Sequence, residues 1–176
     1  MKEWFVSELP VAMGRTVHDV QMITDYVQSR TDVDSSKIGI FGQGSGGTAA
    51  LLAASVDKRL RAVDVLNPWG DWKNWMKSAS EIRTLEDRKQ FTSKEYLKSI
   101  APFDPLNKQK SIGAPFLRMQ FIRKQQNVVD SAANALLKAL PKNATTKSYE
   151  DAASSVNDLS DGKIFGWIAK SLKALK

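Results

Sequence analysis

The stretch Lys37-Ile38-Gly39-Ile40-Phe41-Gly42-Gln43-Gly44-Ser45-Gly46-Gly47-Thr48-Ala49-Ala50 decides how this chain folds. Lys37 to Phe41 reads as a buried strand. A glycine-crowded turn follows and opens directly into an alanine-rich helix, Ser45 to Val56. That is the outline of a nucleophile elbow, the strained strand-to-helix turn on which G-x-S-x-G places a reactive hydroxyl two residues after its first glycine. Counting from Gly42 puts Gly44 at that apex. Ser45, the only hydroxyl in the turn, stands one place further on, with Gln43 and Gly47 two residues to either side, so the G-x-S-x-G frame is not met. The elbow residues Gly42, Gln43, Gly44, Gly46 and Gly47 are in place, and the reactive atom is missing or displaced.

Outward from the elbow, helix and strand alternate. Val17, Val20, Ile23, Tyr26 and Val27 recur at helical spacing and predict a helix over Thr16 to Arg30. Strand Leu60 to Leu66 follows the elbow helix, and Ala49, Ala50, Ala53 and Ala54 suit that helix to close packing on a sheet. Residues 67–110 break the alternation and read as a lid or insertion, with polar helices around 73–80 and 93–99. Strand Ala114 to Phe121, helix Ser131 to Leu140, strand Thr145 to Tyr149 and helix Gly162 to Leu175 complete the chain. This pattern predicts an α/β class fold: one domain over residues 1–176, three-layer α/β/α, with a mostly parallel sheet of about four strands.

Composition narrows the chemistry. The chain has 176 residues, enough for one well-buried core, with no cysteine and a single histidine, His18. Disulfides, thiolate catalysis and sulfur-ligated metals are excluded, and a histidine-rich metal site cannot be assembled, so neither a metal nor a cofactor is expected. A net charge of +7 favours anionic partners, but the basic residues are scattered, and no nucleic-acid module emerges. No apolar run approaches membrane-spanning length, and the first ten residues lack the apolar core of a signal peptide. The compartment is left open.

The helix over Thr16 to Arg30, the loop Asp32-Val33-Asp34-Ser35-Ser36-Lys37, the elbow strand Ile38-Gly39-Ile40-Phe41-Gly42 and the segment Asp57-Lys58-Arg59-Leu60-Arg61-Ala62-Val63 together resemble the α/β-hydrolase superfamily. The likeness is to the C-terminal half of dienelactone-hydrolase-like and prolyl-oligopeptidase-like enzymes. Ala114-Pro115-Phe116-Leu117 resembles the strand before that family's acid, and Lys147-Ser148-Tyr149-Glu150 the strand before its histidine. The resemblance places the family's serine on Gly44, its acid around Arg123-Lys124-Gln125 and its histidine around Ser154-Ser155; none of the three types matches. A serine hydroxyl needs a base held by a third group, so losing all three leaves little triad chemistry. The remaining candidates are Ser45 as nucleophile and Asp71 as acid, with His18 placed on a helix away from the strands' carboxyl ends.

Gly42, Gly44 and Gly47 also satisfy G-x-G-x-x-G, but the acidic residue that completes a nucleotide site is absent after strand Leu60 to Leu66, and no Walker lysine follows. Trp69, Trp72, Trp75 and Met76 fall just past a strand's carboxyl end, where they line a pocket for a small molecule, face a partner, or pack the lid. The resemblance implies upstream strands that would flank the elbow strand and supply the other oxyanion-hole N–H. Without them the elbow strand lies at a sheet edge. That predicts a truncated domain assembling as a homo-oligomer, pairing with a second chain, or covering the edge with the segment Trp4 to Val11. Three functions stay open: a catalytically silent domain for binding or assembly, a serine hydrolase of ester or peptide bonds using Ser45, and nucleotide or phosphate binding at the glycine turn.

Overall fold

The computed structural model describes residues 2–123 and 129–175, with residues 2–7 described by their backbone alone. Four parallel strands, β1 (Ile38–Gln43), β2 (Leu60–Leu66), β3 (Phe116–Ile122) and β4 (Thr145–Tyr149), pair in the order β1-β2-β3-β4. Each parallel step needs a crossover, and the chain supplies α2 (Ser45–Val56) after β1 and α7 (Asp130–Lys138) after β3. Between β2 and β3 run α3 (Trp72–Ser78), α4 (Leu85–Phe91), α5 (Lys94–Ile100) and α6 (Pro105–Lys108), with short 3-10 turns at Ala101–Phe103 and Gln109–Ser111. The α/β class and the four-stranded parallel sheet are those expected from the alternation.

Alternation of side chains along the strands sorts two faces. Ile38, Ile40, Val63, Val65, Leu117, Met119 and Phe121 pack with Ala50, Leu51, Ala53 and Ala54 of α2 and Leu136 of α7 into the main core. Parallel strands covered on both sides read as continuous apolar runs, and β2 is buried almost throughout. The opposite face carries α8 (Ala152–Ser160) and α9 (Lys163–Lys173). There Phe41 meets Phe165 edge-on at 6.2 Å, and Asp64 of β2 is fully buried, gripped by Arg118 of β3 through Nε at 3.0 Å and Nη2 at 2.7 Å. Gln120 adds an amide donor to the same carboxylate at 2.8 Å, so this buried charge is paired and hydrogen-bonded, the condition under which burial is tolerable.

A second cluster lies under the lid, where Leu9 and Met13 pack with Trp72, Trp75, Met76, Phe91 and Ile100. The structure differs from the sequence pattern in three respects. The first helix, α1, runs over Lys2–Ser29 rather than from Thr16, through Pro10, because Leu9 and Met13 have apolar partners to bury against. The segment Trp4 to Val11 is therefore helical and adds no strand beside β1. The lid holds α4 and α6 besides the two helices expected, and α8 precedes the last helix; each of these short helices opens on a side chain that accepts an N-terminal N–H: Thr84, Asp104 and Asp151. Among the described residues, β1 pairs only with β2, so its other edge is open.

Candidate active site

The elbow joins β1 to α2 at the carboxyl end of the sheet. Gly44 has φ 55° and ψ −122°, a conformation that only glycine adopts without strain. Its N–H donates to the Leu66 carbonyl at 2.9 Å, and its carbonyl accepts from the Thr48 N–H at 3.1 Å, which ties the turn to both β2 and the helix. Gly42 is required by closeness: a Cβ there would run into the backbone of Gly46 and come within 2.7 Å of the Gly47 nitrogen. The turn between β1 and α2 thus has the outline of an elbow, with Gly44 in its strained position.

Above the apex stands Trp69. Its indole lies 3.8 Å from where a Gly44 Cβ would project. The loop carrying it is pinned by one residue, Thr48, whose hydroxyl donates to the Trp69 carbonyl at 2.7 Å and accepts the Trp69 N–H at 2.8 Å. Behind it Trp69 stacks on Trp75 at 5.4 Å, and Trp72 meets Trp75 edge-on at 5.7 Å with planes at 90°. Trp72, Trp75 and Met76 are 2% exposed or less, so they pack the lid and do not line an open pocket or offer a face to a partner. Of the four residues singled out in the sequence, Trp69 alone keeps an exposed face. The void among Asn67, Trp69, Trp75 and Val129 measures about 10 Å³, near the least that holds one water.

Asp104 organises the lid. Its buried carboxylate accepts the N–H groups of Asp71 and Trp72, both at 2.9 Å, and of Leu106 at 3.0 Å. Burial pushes this carboxyl above the ordinary range, while the three amides pull it back. Asp71, the candidate acid, is itself buried with a left-handed backbone at φ 50°, and its carboxylate accepts from the Asn74 side chain at 2.5 Å. It is engaged with α3 instead of the elbow. Asn67, also left-handed at φ 47°, accepts the Ile122 N–H at 2.8 Å and joins the ends of β2 and β3. Thr48, Asp104 and Asn67 escaped the sequence reading, although Asp104-Pro105 carried a visible signal, an N-cap residue before proline at the first helical position.

The remaining triad positions follow the same pattern. Arg123, at the end of β3, is exposed and pairs with Glu150 at 3.3 Å; Lys124 and Gln125 lie outside the described residues. Ser154 and Ser155 sit in the first turn of α8, where the Ser154 N–H and hydroxyl bond to the Asp151 carboxylate and the Ser155 hydroxyl to the Ala152 carbonyl. His18 is exposed on α1. Ser45 is exposed at the start of α2. Among the described residues, no cluster of three or more histidine or acidic side chains could hold a metal.

A parallel sheet, an elbow after β1 and loops gathered at the strands' carboxyl ends define the α/β-hydrolase fold. The family model of the prolyl oligopeptidase family matches residues 12–148, and the chain belongs to that family. Solved structures agree on the fold. The acetyl xylan esterase from Paenibacillus sp. R4 aligns with a TM-score of 0.69 at 20% identity, covering 86% of this chain and 52% of that one. Acetyl xylan esterase 1 from Thermoanaerobacterium sp. JW/SL YS485 gives 0.65 at 18%, covering 91% and 52%. The acylaminoacyl peptidase of Pyrococcus horikoshii gives 0.67 at 20%, covering 88% and 27%. The chain thus spans about half the length of the two esterases. No curated protein matches it.

Proposed function

We propose that this chain is a catalytically silent α/β-hydrolase-like module that serves assembly, pairing with a second copy of itself through the open edge of β1. The observation that carries this reading is Gly44: the apex of the elbow has no side chain, and the Trp69 indole stands 3.8 Å from where one would begin. With no hydroxyl at the apex, no acyl intermediate can form there. The β1 edge leaves unpaired N–H and C=O groups, and Phe165 of α9, 58% exposed, lies against Phe41 of β1; Met22, Ile23 and Tyr26 of α1 are 57–63% exposed as well. A two-fold axis through this edge makes β1 antiparallel to its copy and joins two four-stranded sheets into one. Light scattering at micromolar concentration should give twice the 19.5 kDa chain mass, falling to one chain in Ile23→Glu/Phe165→Glu. A monomer before any substitution overturns the assembly role.

One observation favours a second reading. Ser45 is exposed one residue past the apex, with its backbone at the start of α2. In that reading Ser45 attacks an ester or amide and a base comes from another chain. Turnover of a p-nitrophenyl ester that disappears in Ser45→Ala would support it over the silent module.

A further inference from the structure

Helices α3, α4 and α5 form a groove of about 270 Å³ on the lid surface, lined by none of the elbow residues. Its apolar lining comes from Leu85 and Leu97, with Thr92 beside them, and Leu85 is 79% exposed, more than any other large apolar side chain among the described residues. Its rim is basic: Lys73 and Lys77 from α3, and Arg88 and Lys89 from α4. The four cations do different work. Arg88 is committed to the fold, its guanidinium donating to the carbonyls of Met76, Lys77, Ala79 and Ile82, where it caps the end of α3. Lys73, Lys77 and Lys89 are exposed and, among the described residues, in no ion pair.

Three lysines held around an apolar floor raise the local positive potential without neutralising it, and the carbon stems of long basic side chains extend the apolar wall. No acid lines the groove: of those on α4 and α5, Asp87 is turned to Thr84, whose hydroxyl bonds to it at the start of α4, and neither Glu86 nor Glu95 is among the lining residues. An exposed leucine inside a cationic ring is satisfied by a ligand that supplies an apolar body and a negative head together.

We propose that this groove binds a small anionic amphiphile, a short-chain fatty carboxylate, with its chain against Leu85 and Leu97 and its carboxylate among Lys73, Lys77 and Lys89. The site stands independently of whether the elbow is silent. Titration of the full chain with octanoate, followed by methyl NMR, should shift the Leu85, Leu97 and Thr92 signals saturably and leave the Leu136 core signals in place. Octanol and octylammonium, with the same chain and no negative head, should shift them little. Because Lys73→Glu/Lys77→Glu/Lys89→Glu replaces three attractions of the carboxylate with three repulsions, it should weaken octanoate binding by about tenfold. Circular dichroism melting would check that this variant keeps its fold; Lys→Gln at the same positions, giving a smaller loss, serves if the charge reversal unfolds it. Equal binding of octanol, shifts scattered over the surface, or undiminished affinity in both variants overturns the proposal. So does an acidic peptide that moves these methyl signals when octanoate does not, which would assign the groove to a protein partner.

Discussion

At the scale of single residues, Gly44, Thr48 and Gln109 are where one substitution changes stability most legibly. A side chain at Gly44 would be held at φ 55°. Gly44→Ala should therefore cost about 1–3 kcal/mol, read as a lower urea midpoint at unchanged slope. Gly44→Ser should pay a similar cost and still hydrolyse no ester, because the positions that match the family's histidine hold Ser154 and Ser155. Thr48→Val keeps shape and removes the hydroxyl that both donates to and accepts from the Trp69 backbone. Leaving those groups unpaired should lower stability by about 1–3 kcal/mol and shift the tryptophan emission to the red as the loop loosens. Gln109 gives the opposite sign. It is fully buried with neither amide atom hydrogen-bonded, so Gln109→Met, similar in volume and free of that desolvation penalty, should raise the melting temperature.

At the scale of elements, the carboxylates that clamp the ends of helices set the acid limit of the fold. Asp158 of α8 bonds to Lys147 of β4 and to Lys163 at 3.0 Å, and these two cations hold its carboxyl well below the usual range. Asp57, which closes α2, is held low chiefly by the Arg59 guanidinium. A carboxyl depressed in the folded state adds stability that is complete above its unfolded value of about 3.9 and is lost as pH falls toward the lowered one. Urea midpoints measured from pH 5 down to pH 2 should decline, and Asp158→Asn should flatten that decline while leaving the chain less stable at pH 7. Legibility in the sequence followed signal strength at this same scale. The bounds of α2, β2 and β4 could be read residue for residue, because an alanine-rich run, an apolar run and a short β-branched run each sit between clear breakers. Helix α4 could not, since its seven residues bury Phe91 alone and leave no period to see, and α1 crossed Pro10 because tertiary burial of Leu9 and Met13 outweighed a local breaker. In the candidate site, the sharp glycine turn after β1 was legible from the run Gly42 to Gly47, and Gly44 is the residue with positive φ there. Where Trp69, Trp72 and Trp75 pack was not, because an aromatic ring's destination is decided by what lies across from it, here Thr48 on α2 and Asp104 at the end of the lid.

At the scale of the whole molecule, two features carry the proposed function: an elbow with no hydroxyl at Gly44, and the edge of β1, which among the described residues pairs with β2 alone. In the proposed reading the first removes the family's usual covalent step and the second serves as the surface for another strand. Both follow from the same region, since the strand that delivers Gly44 is the edge strand β1. The most direct measurement is intact-mass spectrometry of the chain after incubation with a fluorophosphonate, which forms a covalent adduct only with an activated serine. An unmodified mass after prolonged incubation is the predicted result, and an adduct mapped to Ser45 would contradict the silent elbow.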